Sequence, residues 1–191
     1  MRFLLIFSLI ATYSFSSYSE EKFSNSDNSS NERSFSEILK WSFNRESPSP
    51  EYLEIRKLKD PSNLRKGNPY AFWIGHASFL VFNGDITVLF DPIFSERASP
   101  LKFAGPKRLI KPAIKISELP KVDIIVISHN HYDHLDIPSL KKIQKRFPNV
   151  KILIPKGDKK LLKKYNLKNG EEFVWWQDTK ISNTILTFTP T

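Results

Sequence analysis

Cysteine is absent from the 191-residue sequence. This absence excludes a disulfide scaffold, a thiolate zinc site, an iron–sulfur cluster and a cysteine nucleophile. Histidine is also scarce: there are four residues, and three of them fall between His129 and His134. Any metal ion must therefore be held by histidine and carboxylate side chains.

Acidic residues are outnumbered, with 20 Asp and Glu against 29 Lys and Arg, which gives a net charge of +9. A charge of this sign favours an anionic partner. The rest of the composition, with 40% hydrophobic and 26% charged residues, is ordinary for a globular protein and too apolar for a disordered one. The length fits one domain, and we find neither an internal repeat nor a glycine-rich phosphate loop.

No hydrophobic run is long enough to span a bilayer comfortably. Residues 1–19 combine one Arg, a short apolar run and small residues, which is the pattern of a secretory signal peptide. Residues 20–35 are rich in Ser and Asn, and we predict a disordered linker there. Residues 36–191 form the predicted domain. The signal peptide predicts export, and we expect the periplasm or cell envelope of a bacterium.

The strand pattern begins at residue 71. Two apolar runs, 71–82 and 86–90, flank the turn residues Asn83 and Gly84 and predict a β-hairpin. Residues 122–127 are β-branched and almost continuously apolar, as in a strand buried on both faces. Three further strands are predicted at 151–154, 173–176 and 185–188.

Two helices separate the later strands. The first begins with Asp136 as the N-cap, and the second begins with Asp158 and ends at Asn169 and Gly170. Residues 95–120 show little periodicity and predict a long loop. Strands that alternate with helices favour a layered α/β fold over a helix bundle or an all-β sandwich.

Candidate metal ligands are concentrated directly after the predicted strand 122–127. His129, His131, Asp133 and His134 lie within six residues, at a strand end of the kind where α/β sheets bind ligands. Neutral imidazoles crowded this closely gain little unless something binds them. Imidazole and carboxylate suit zinc, iron or manganese. The spacing therefore predicts a metal site, where a divalent ion would lower the pKa of water and polarise an ester or phosphate oxygen.

The segment HNHYDH at 129–134 resembles the H-x-H-x-D-H signature of the metallo-β-lactamase superfamily. Five flanking segments are similar to the branch of phospholipases D that hydrolyse N-acyl-phosphatidylethanolamine. They are WIGHAS at 73–78, FDPIF at 90–94, RASP at 97–100, GPKR at 105–108 and ISELP at 116–120. The resemblance runs from about residue 41 to residue 191. The signature alone would indicate only the superfamily. The flanking segments, in this order, narrow the resemblance to the phospholipase D branch.

The resemblance implies an αββα sandwich with two zinc ions at one edge. By position, His129 and His131 would bind the first ion, while Asp133 and His134 would bind the second. The mechanism implied is attack on a phosphodiester by a metal-bound hydroxide, and Asp133 would also help to orient that hydroxide as a catalytic residue. A phospholipid or another phosphodiester is the substrate expected on this basis.

The sequence also departs from the family pattern. Family members carry a further His after a Thr-Pro strand end, a metal-bridging Asp and a last His near the carboxyl terminus. Here Thr189, Pro190 and Thr191 are the final residues, and no His follows His134. We therefore expect a partial domain that lacks the carboxyl-terminal half of the sandwich, with poor solubility and little activity.

Three further residues have two interpretations each. His76 either lines the site or orients a ligand there, or it is a hydrogen-bonded structural histidine. Asp91 either holds a ligand imidazole by a hydrogen bond, which we favour, or caps the Asp-Pro turn. Asp136 is expected to cap its helix rather than bind metal.

Positive charge is concentrated between Lys141 and Lys180, where twelve Lys and Arg stand against four acidic residues. The ordinary interpretation is a solvated helix face, and the alternative is peripheral contact with an anionic membrane surface. Trp175 and Trp176 could lie at such an interface, although paired Trp residues are expected in a core. Charge alone would also permit nucleic acid, which we do not expect as a partner.

The function predicted from these observations is a zinc-dependent hydrolase of the phospholipase D type, with iron or manganese as alternative metals. Two alternatives stay open. One is another hydrolytic reaction on the same fold, such as that of a lactonase or a nuclease. The other is a non-catalytic remnant, which the missing ligands would favour.

Overall fold

The computed structural model describes residues 34–44, 64, 68–101 and 103–190, which fall into two units divided after residue 51. The predicted signal peptide lies outside the described residues, as does the predicted linker as far as residue 33. The first unit contributes helix α1, Phe35–Asn44. The Ser34 backbone N–H donates to Glu37 Oε2 at 2.7 Å, which satisfies a donor that the helix start leaves unpaired.

A six-stranded mixed sheet forms the centre of the second unit. Its strands are β1 Tyr70–Gly75, β2 Ser78–Phe82, β3 Thr87–Phe90, β4 Ile124–Val126, β5 Lys151–Pro155 and β6 Gly170–Phe173. They lie in chain order, with β1, β2 and β3 antiparallel and with β3, β4, β5 and β6 parallel. Together with the helices described below, this sheet confirms the α/β fold class.

The hairpin predicted around Asn83 is confirmed, and its first arm is more complex than expected. Asn83 Oδ1 accepts the backbone N–H groups of Asp85 and Ile86, each at 3.0 Å, which closes the turn from β2 to β3. Residues 71–82 were expected to form one arm, but the structure divides them into β1 and β2 at Gly75 and His76. Both residues have left-handed φ angles, 135° and 51°, which a continuous strand does not allow.

Helices connect the parallel strands and cover one face of the sheet. Helix α2 is Ile137–Arg146 between β4 and β5, and helix α3 is Lys159–Lys164 between β5 and β6. Leu140 and Ile143 of α2 and Leu162 of α3 are buried in the main hydrophobic cluster. Helix–strand alternation with this burial is what the 3.6-residue apolar pattern predicted. The described residues contain no helix long and apolar enough to cross a membrane.

The predicted start of each helix is confirmed, but the hydrogen bond predicted for each N-cap side chain is not. Asp136 and Asp158 occupy the N-cap positions, but neither carboxylate makes the expected hydrogen bond to the helix start. Both carboxylates instead accept hydrogen bonds from other segments, which are described with the site below. The second helix ends at Lys164, and Gly170, expected to end it, begins β6.

A two-stranded sheet covers part of the opposite face. Its strands are β7, Asp178–Ile181, and β8, Thr184–Thr187, which pair antiparallel. Ile181 and Leu186 pack against a second cluster that contains Val88 and Ile124. The prediction located β8 approximately and missed β7, whose alternating polar residues resemble loop sequence.

The interpretation of the tryptophan pair is wrong on two counts. Residues 173–176 were expected to form a strand, but the strand ends at Phe173. Trp175 and Trp176 follow in a turn, with a left-handed φ of 66° at Trp176. Trp176 is 69% exposed, so the pair does not belong to the core of the described residues.

Most of the long segment between β3 and β4 is irregular, as predicted for residues 95–120. It contains a bridge between Arg97 and Lys107 and a 3₁₀ turn, Ile116–Glu118. The Arg108 guanidinium donates to three backbone carbonyls, those of Ser95, Ile110 and Ile93. Hydrogen bonds from the Arg108 side chain therefore hold together a loop that has little regular secondary structure.

The basic residues of both helices lie on solvated faces. On α2 they are Lys141, Lys142, Lys145 and Arg146, and on α3 they are Lys159, Lys160, Lys163 and Lys164. All eight are exposed, as both a solvated helix face and contact with an anionic surface require.

Asp85 joins the turn that precedes β3 to the turn between β7 and β8. Its carboxylate accepts hydrogen bonds from Ser182 Oγ at 2.8 Å and from the Asn183 backbone N–H at 2.9 Å. The same two hydrogen bonds lower the pKa of Asp85 below its ordinary value.

We expect Asp85→Ala to lower the melting temperature at neutral pH, because the sheet of β7 and β8 loses this connection to the main sheet.

The pH dependence of that difference has a definite sign. A carboxyl group whose pKa is lowered in the folded state stabilises the fold above its ordinary pKa, and the stabilisation is lost as the pH falls through the folded-state pKa. Melting curves of wild type and Asp85→Ala should therefore differ at neutral pH and converge in acid. The exposed Glu171→Ala is the control, and a constant difference across this pH range would contradict the assignment.

Candidate metal centre

Three segments meet at one edge of the main sheet. Because β1 and β3 run in the same direction and β3 is parallel to β4, the carboxyl ends of all three strands lie at that edge. His76 follows β1, Asp91 follows β3, and the segment 128–134 follows β4. The topology therefore brings together side chains that are as many as 58 positions apart in sequence.

All four histidines of the chain lie in this cluster. The ring centroids of His129 and His134 are 3.9 Å apart, those of His129 and His131 are 4.7 Å apart, and those of His76 and His134 are 5.6 Å apart. The turn that presents them is closed by the His134 and Leu135 backbone N–H groups, which donate to the His131 carbonyl at 2.9 and 2.7 Å. The predicted site residues are thus brought together.

His129 and His131 face each other through ring nitrogens. His129 Nε2 lies 3.1 Å from His131 Nδ1, and His129 Nδ1 lies 2.9 Å from Ser128 Oγ. Burial lowers the pKa of His129 below its ordinary value, and repulsion from His134 and His131 lowers it further. His129 is therefore neutral at pH 7, which is the form of imidazole that binds a metal ion.

Asp133 lies between two imidazoles. Its Oδ2 atom is 3.1 Å from His76 Nε2 and 3.7 Å from His134 Nε2. Burial raises the pKa of Asp133, but a backbone hydrogen bond, the charge of His134 and the hydrogen bond with His76 outweigh it, and the pKa lies below its ordinary value. The carboxylate is thus ionised at neutral pH, as a metal ligand must be.

Asp91 connects the end of β3 to the end of β4. Its buried carboxylate accepts from the Ser128 backbone N–H and from Ser128 Oγ, each at 2.7 Å. Asp91 Oδ2 also lies 2.8 Å from His134 Nδ1. In the neutral form of His134, a hydrogen bond donated from Nδ1 leaves the lone pair on Nε2, the atom that faces Asp133. This is the contact that the favoured interpretation of Asp91 required.

Ser128 and Asn130 contribute to the site without having been predicted. Ser128 Oγ lies within hydrogen-bond distance of both His129 and Asp91. Asn130 Nδ2 donates to Asp158 Oδ1 at 2.7 Å, which ties the histidine segment to the start of α3. A sequence offers no signal for either contact, because small polar residues beside a metal signature are also common in ordinary turns.

Asp158 and Asp136 are used by contacts other than the predicted helix caps. Burial raises the pKa of Asp158 above its ordinary value, repulsion from Glu172 adds to this, and the Asn130 hydrogen bond opposes it. The Asp136 carboxylate accepts the backbone N–H groups of Phe94 and Ser95 at 3.2 and 3.0 Å. Asp136 therefore holds the segment after β3 against the start of α2.

The donor set suits a divalent metal ion. Within the described residues, His76, Asp133 and His134 each offer one ligand atom, and these atoms all lie within 4.8 Å of one another. His129 and His131 supply a second pair of nitrogens beside them. Neutral imidazoles and an ionised carboxylate are ligands that zinc, iron and manganese accept.

The family of the chain follows from comparison with known proteins. The model of the beta-lactamase superfamily domain matches residues 87–191. The chain belongs to this superfamily. The match includes β3, the histidine segment and everything that follows it, so the predicted superfamily membership is confirmed.

Curated relatives agree with the predicted branch over part of the chain. The chain is 44% identical over 94 residues to N-acyl-phosphatidylethanolamine-hydrolyzing phospholipase D 1 of Caenorhabditis elegans, an alignment of 49% of this chain and 26% of that protein. It is 37% identical over 130 residues to the mitochondrial N-acyl-phosphatidylethanolamine-hydrolyzing phospholipase D of Saccharomyces cerevisiae, with 68% and 27% covered. The chain spans about a quarter of the length of these relatives.

A solved structure supports the fold. CmlA, a diiron beta-hydroxylase from Streptomyces venezuelae, superimposes with a TM-score of 0.50 and 22% identity. The superposition covers 64% of this chain and 24% of CmlA. The described part of the chain therefore has a partial metallo-β-lactamase fold, with a helix layer on one face of the main sheet and β7 and β8 on the other.

Proposed function

We propose that the protein is a metal-dependent hydrolase of phosphodiesters, and that its substrate is a phospholipid of the N-acyl-phosphatidylethanolamine type. The observation that supports hydrolysis is the cluster of four imidazoles and an ionised carboxylate at the carboxyl edge of the sheet. The names of the worm and yeast relatives support the substrate class.

The proposed roles of the site residues combine what the family resemblance implies with the contacts of the side chains. His129 and His131 would hold one ion, and Asp133 and His134 would hold a second. A bound divalent ion supplies a lowered pKa for water and polarisation of a phosphoryl oxygen. Asp91 holds His134 with Nε2 directed at the site, and Ser128 extends the same hydrogen-bond network to His129. Zinc is proposed, with iron and manganese as the alternatives that these ligands also accept.

The metal is tested by titration of the purified chain with zinc, iron(II) and manganese(II), followed by elemental analysis after desalting. We expect retained metal in the wild type. Failure of all three ions to bind would overturn the proposal, whatever the activity of the chain.

The substrate is tested with a panel of phospholipid phosphodiesters, lactones and RNA. Release of phosphatidic acid from N-acyl-phosphatidylethanolamine would support the proposal. Hydrolysis of a lactone or RNA alone would favour the corresponding alternative. Retained metal without turnover of any of the three would favour a non-catalytic role.

His131→Ala is expected to remove the ion held with His129, because a single imidazole remains of that pair. The bound-metal content should fall, as measured by elemental analysis at equal protein concentration. Glu171→Ala, an exposed change on β6, should leave the content unchanged. An unaltered metal content in His131→Ala would show that the pair has been assigned wrongly.

A further inference from the structure

His76 is the one histidine outside the signature segment, and the fold brings it to the site. It lies in the turn between β1 and β2, with a left-handed φ of 51° that non-glycine residues seldom adopt. Gly75 beside it has a φ of 135°, and Trp73 Nε1 donates to the His76 carbonyl at 2.9 Å. Backbone strain of this kind is stored where the surrounding structure holds it in place.

The position of the His76 imidazole allows two roles. It could hold Asp133 by a hydrogen bond, or it could bind the metal ion together with Asp133. Its Nε2 atom lies 3.1 Å from Asp133 Oδ2, and the same oxygen lies 3.7 Å from His134 Nε2. Neighbouring ligand atoms of a four-coordinate zinc ion are about 3.3 Å apart, because each lies about 2.0–2.2 Å from the metal. The two distances to Asp133 Oδ2 are close to this separation, and one ligand atom from each of the three residues lies within 4.8 Å of the others.

The direction of the contacts favours ligation. Both imidazoles approach the same oxygen, Oδ2, although a residue that only held the carboxylate would best use the oxygen that the ion does not need. His134 Nδ1 is already engaged by Asp91, so Nε2 is the atom that carries its lone pair toward Asp133. The side chains of His76 and Asp133 are 54% and 43% exposed, which leaves both free to contract around an ion.

We propose that His76 is a direct ligand of the second metal ion, so that His76, Asp133 and His134 together form that site. The inference rests on the proposed metal-dependent function. It gives the second ion three protein ligands from two strand ends, whereas the signature segment alone supplies two. An ion in this site would also join the turn after β1 to the loop after β4.

Two substitutions separate ligation from positioning. His76→Gln keeps a donor that can hydrogen-bond Asp133 but replaces imidazole with a poor zinc ligand, and His76→Ala removes both functions. If His76 binds the ion, both variants should lose zinc affinity to a similar extent, by about 10-fold or more. If His76 only positions Asp133, Gln should restore most of the affinity that Ala loses. Loss of a positioning hydrogen bond can itself cost about 10–100-fold, so the comparison of the two variants decides.

A measurement on the wild type makes the test independent of variant folding. Nitrogen-15 histidine spectra of the full chain, recorded with and without zinc, report which ring nitrogens bind the metal. We expect His76 Nε2 to shift with the signature histidines, and an unshifted His76 signal would overturn the inference. If zinc shifts only the signature histidines, the proposed function survives and the inference fails. If zinc shifts none, both fail.

Discussion

Asp133→Asn is expected to reduce the affinity for divalent metal by more than about 100-fold, since changes outside the ligand set alone cost about 10–100-fold. The amide keeps the size of the carboxylate and can still hydrogen-bond His76, but it lacks the negative charge that a cation requires. Asp133 Oδ2 lies 3.1 Å from His76 Nε2 and 3.7 Å from His134 Nε2, so the second site loses the ligand that lies between the two imidazoles. Isothermal titration with zinc measures the effect, and any phosphodiester hydrolysis should fall with it.

The matched control is Asp178→Asn. Asp178 lies on β7 and is exposed, and its carboxylate accepts a hydrogen bond from Thr187 Oγ1 at 2.7 Å. The control should bind zinc as the wild type does, because the same chemical change is made away from the histidine cluster. Equal zinc affinity in both variants would rule out Asp133 as a ligand.

Asp136→Ala is expected to lower the free energy of unfolding by roughly 3 kcal/mol or more. The buried carboxylate accepts from the Phe94 and Ser95 backbone N–H groups, from Ser95 Oγ at 2.9 Å and from Ser139 Oγ at 2.5 Å. Each partly buried donor left without an acceptor costs about 1–3 kcal/mol. The segment after β3 would also lose part of its attachment to α2, although the Phe94 N–H group keeps Ser139 Oγ as an acceptor at 2.9 Å.

Urea unfolding followed by circular dichroism measures this loss, with Glu171→Ala as the exposed acidic control. The control should change the free energy of unfolding by no more than about 0.5 kcal/mol. Asp136→Asn should be intermediate, because it keeps one acceptor oxygen. If Asp136→Ala lowered the free energy of unfolding by less than about 1 kcal/mol, water would be hydrogen-bonding the donors that the carboxylate accepts in the wild type.

The ligand cluster could be predicted from the sequence because four of its residues are local. His129, His131, Asp133 and His134 share one turn, so their proximity needs no knowledge of the fold. The strand before them could be predicted for a similar reason, since a run of β-branched residues buried on both faces has a strong pattern. The family resemblance added the expected sheet and helix layers.

Contacts between distant segments were harder to predict. His76 reaches Asp133 only because β1, β3 and β4 end at one edge, and the apolar sequence of residues 71–82 concealed the turn that carries it. Asp158 was assigned to a helix cap because its position allowed one, whereas its carboxylate accepts from Asn130 instead. Local propensity cannot show which of two donors a carboxylate will accept when one of the donors comes from elsewhere in the chain.

The hydrogen bonds from Asp91 to Ser128 and His134 have a consequence for how ion binding is coupled to folding. The three residues meet only after β3 and β4 have paired, so an unfolded chain keeps its signature ligands close in sequence but lacks the hydrogen bonds that orient His134. An ion would therefore bind the folded chain, in which His134 is already oriented, more tightly than the unfolded chain. The bound ion would raise the free energy of unfolding by at most about 2.7 kcal/mol when its free concentration is 100 times its dissociation constant.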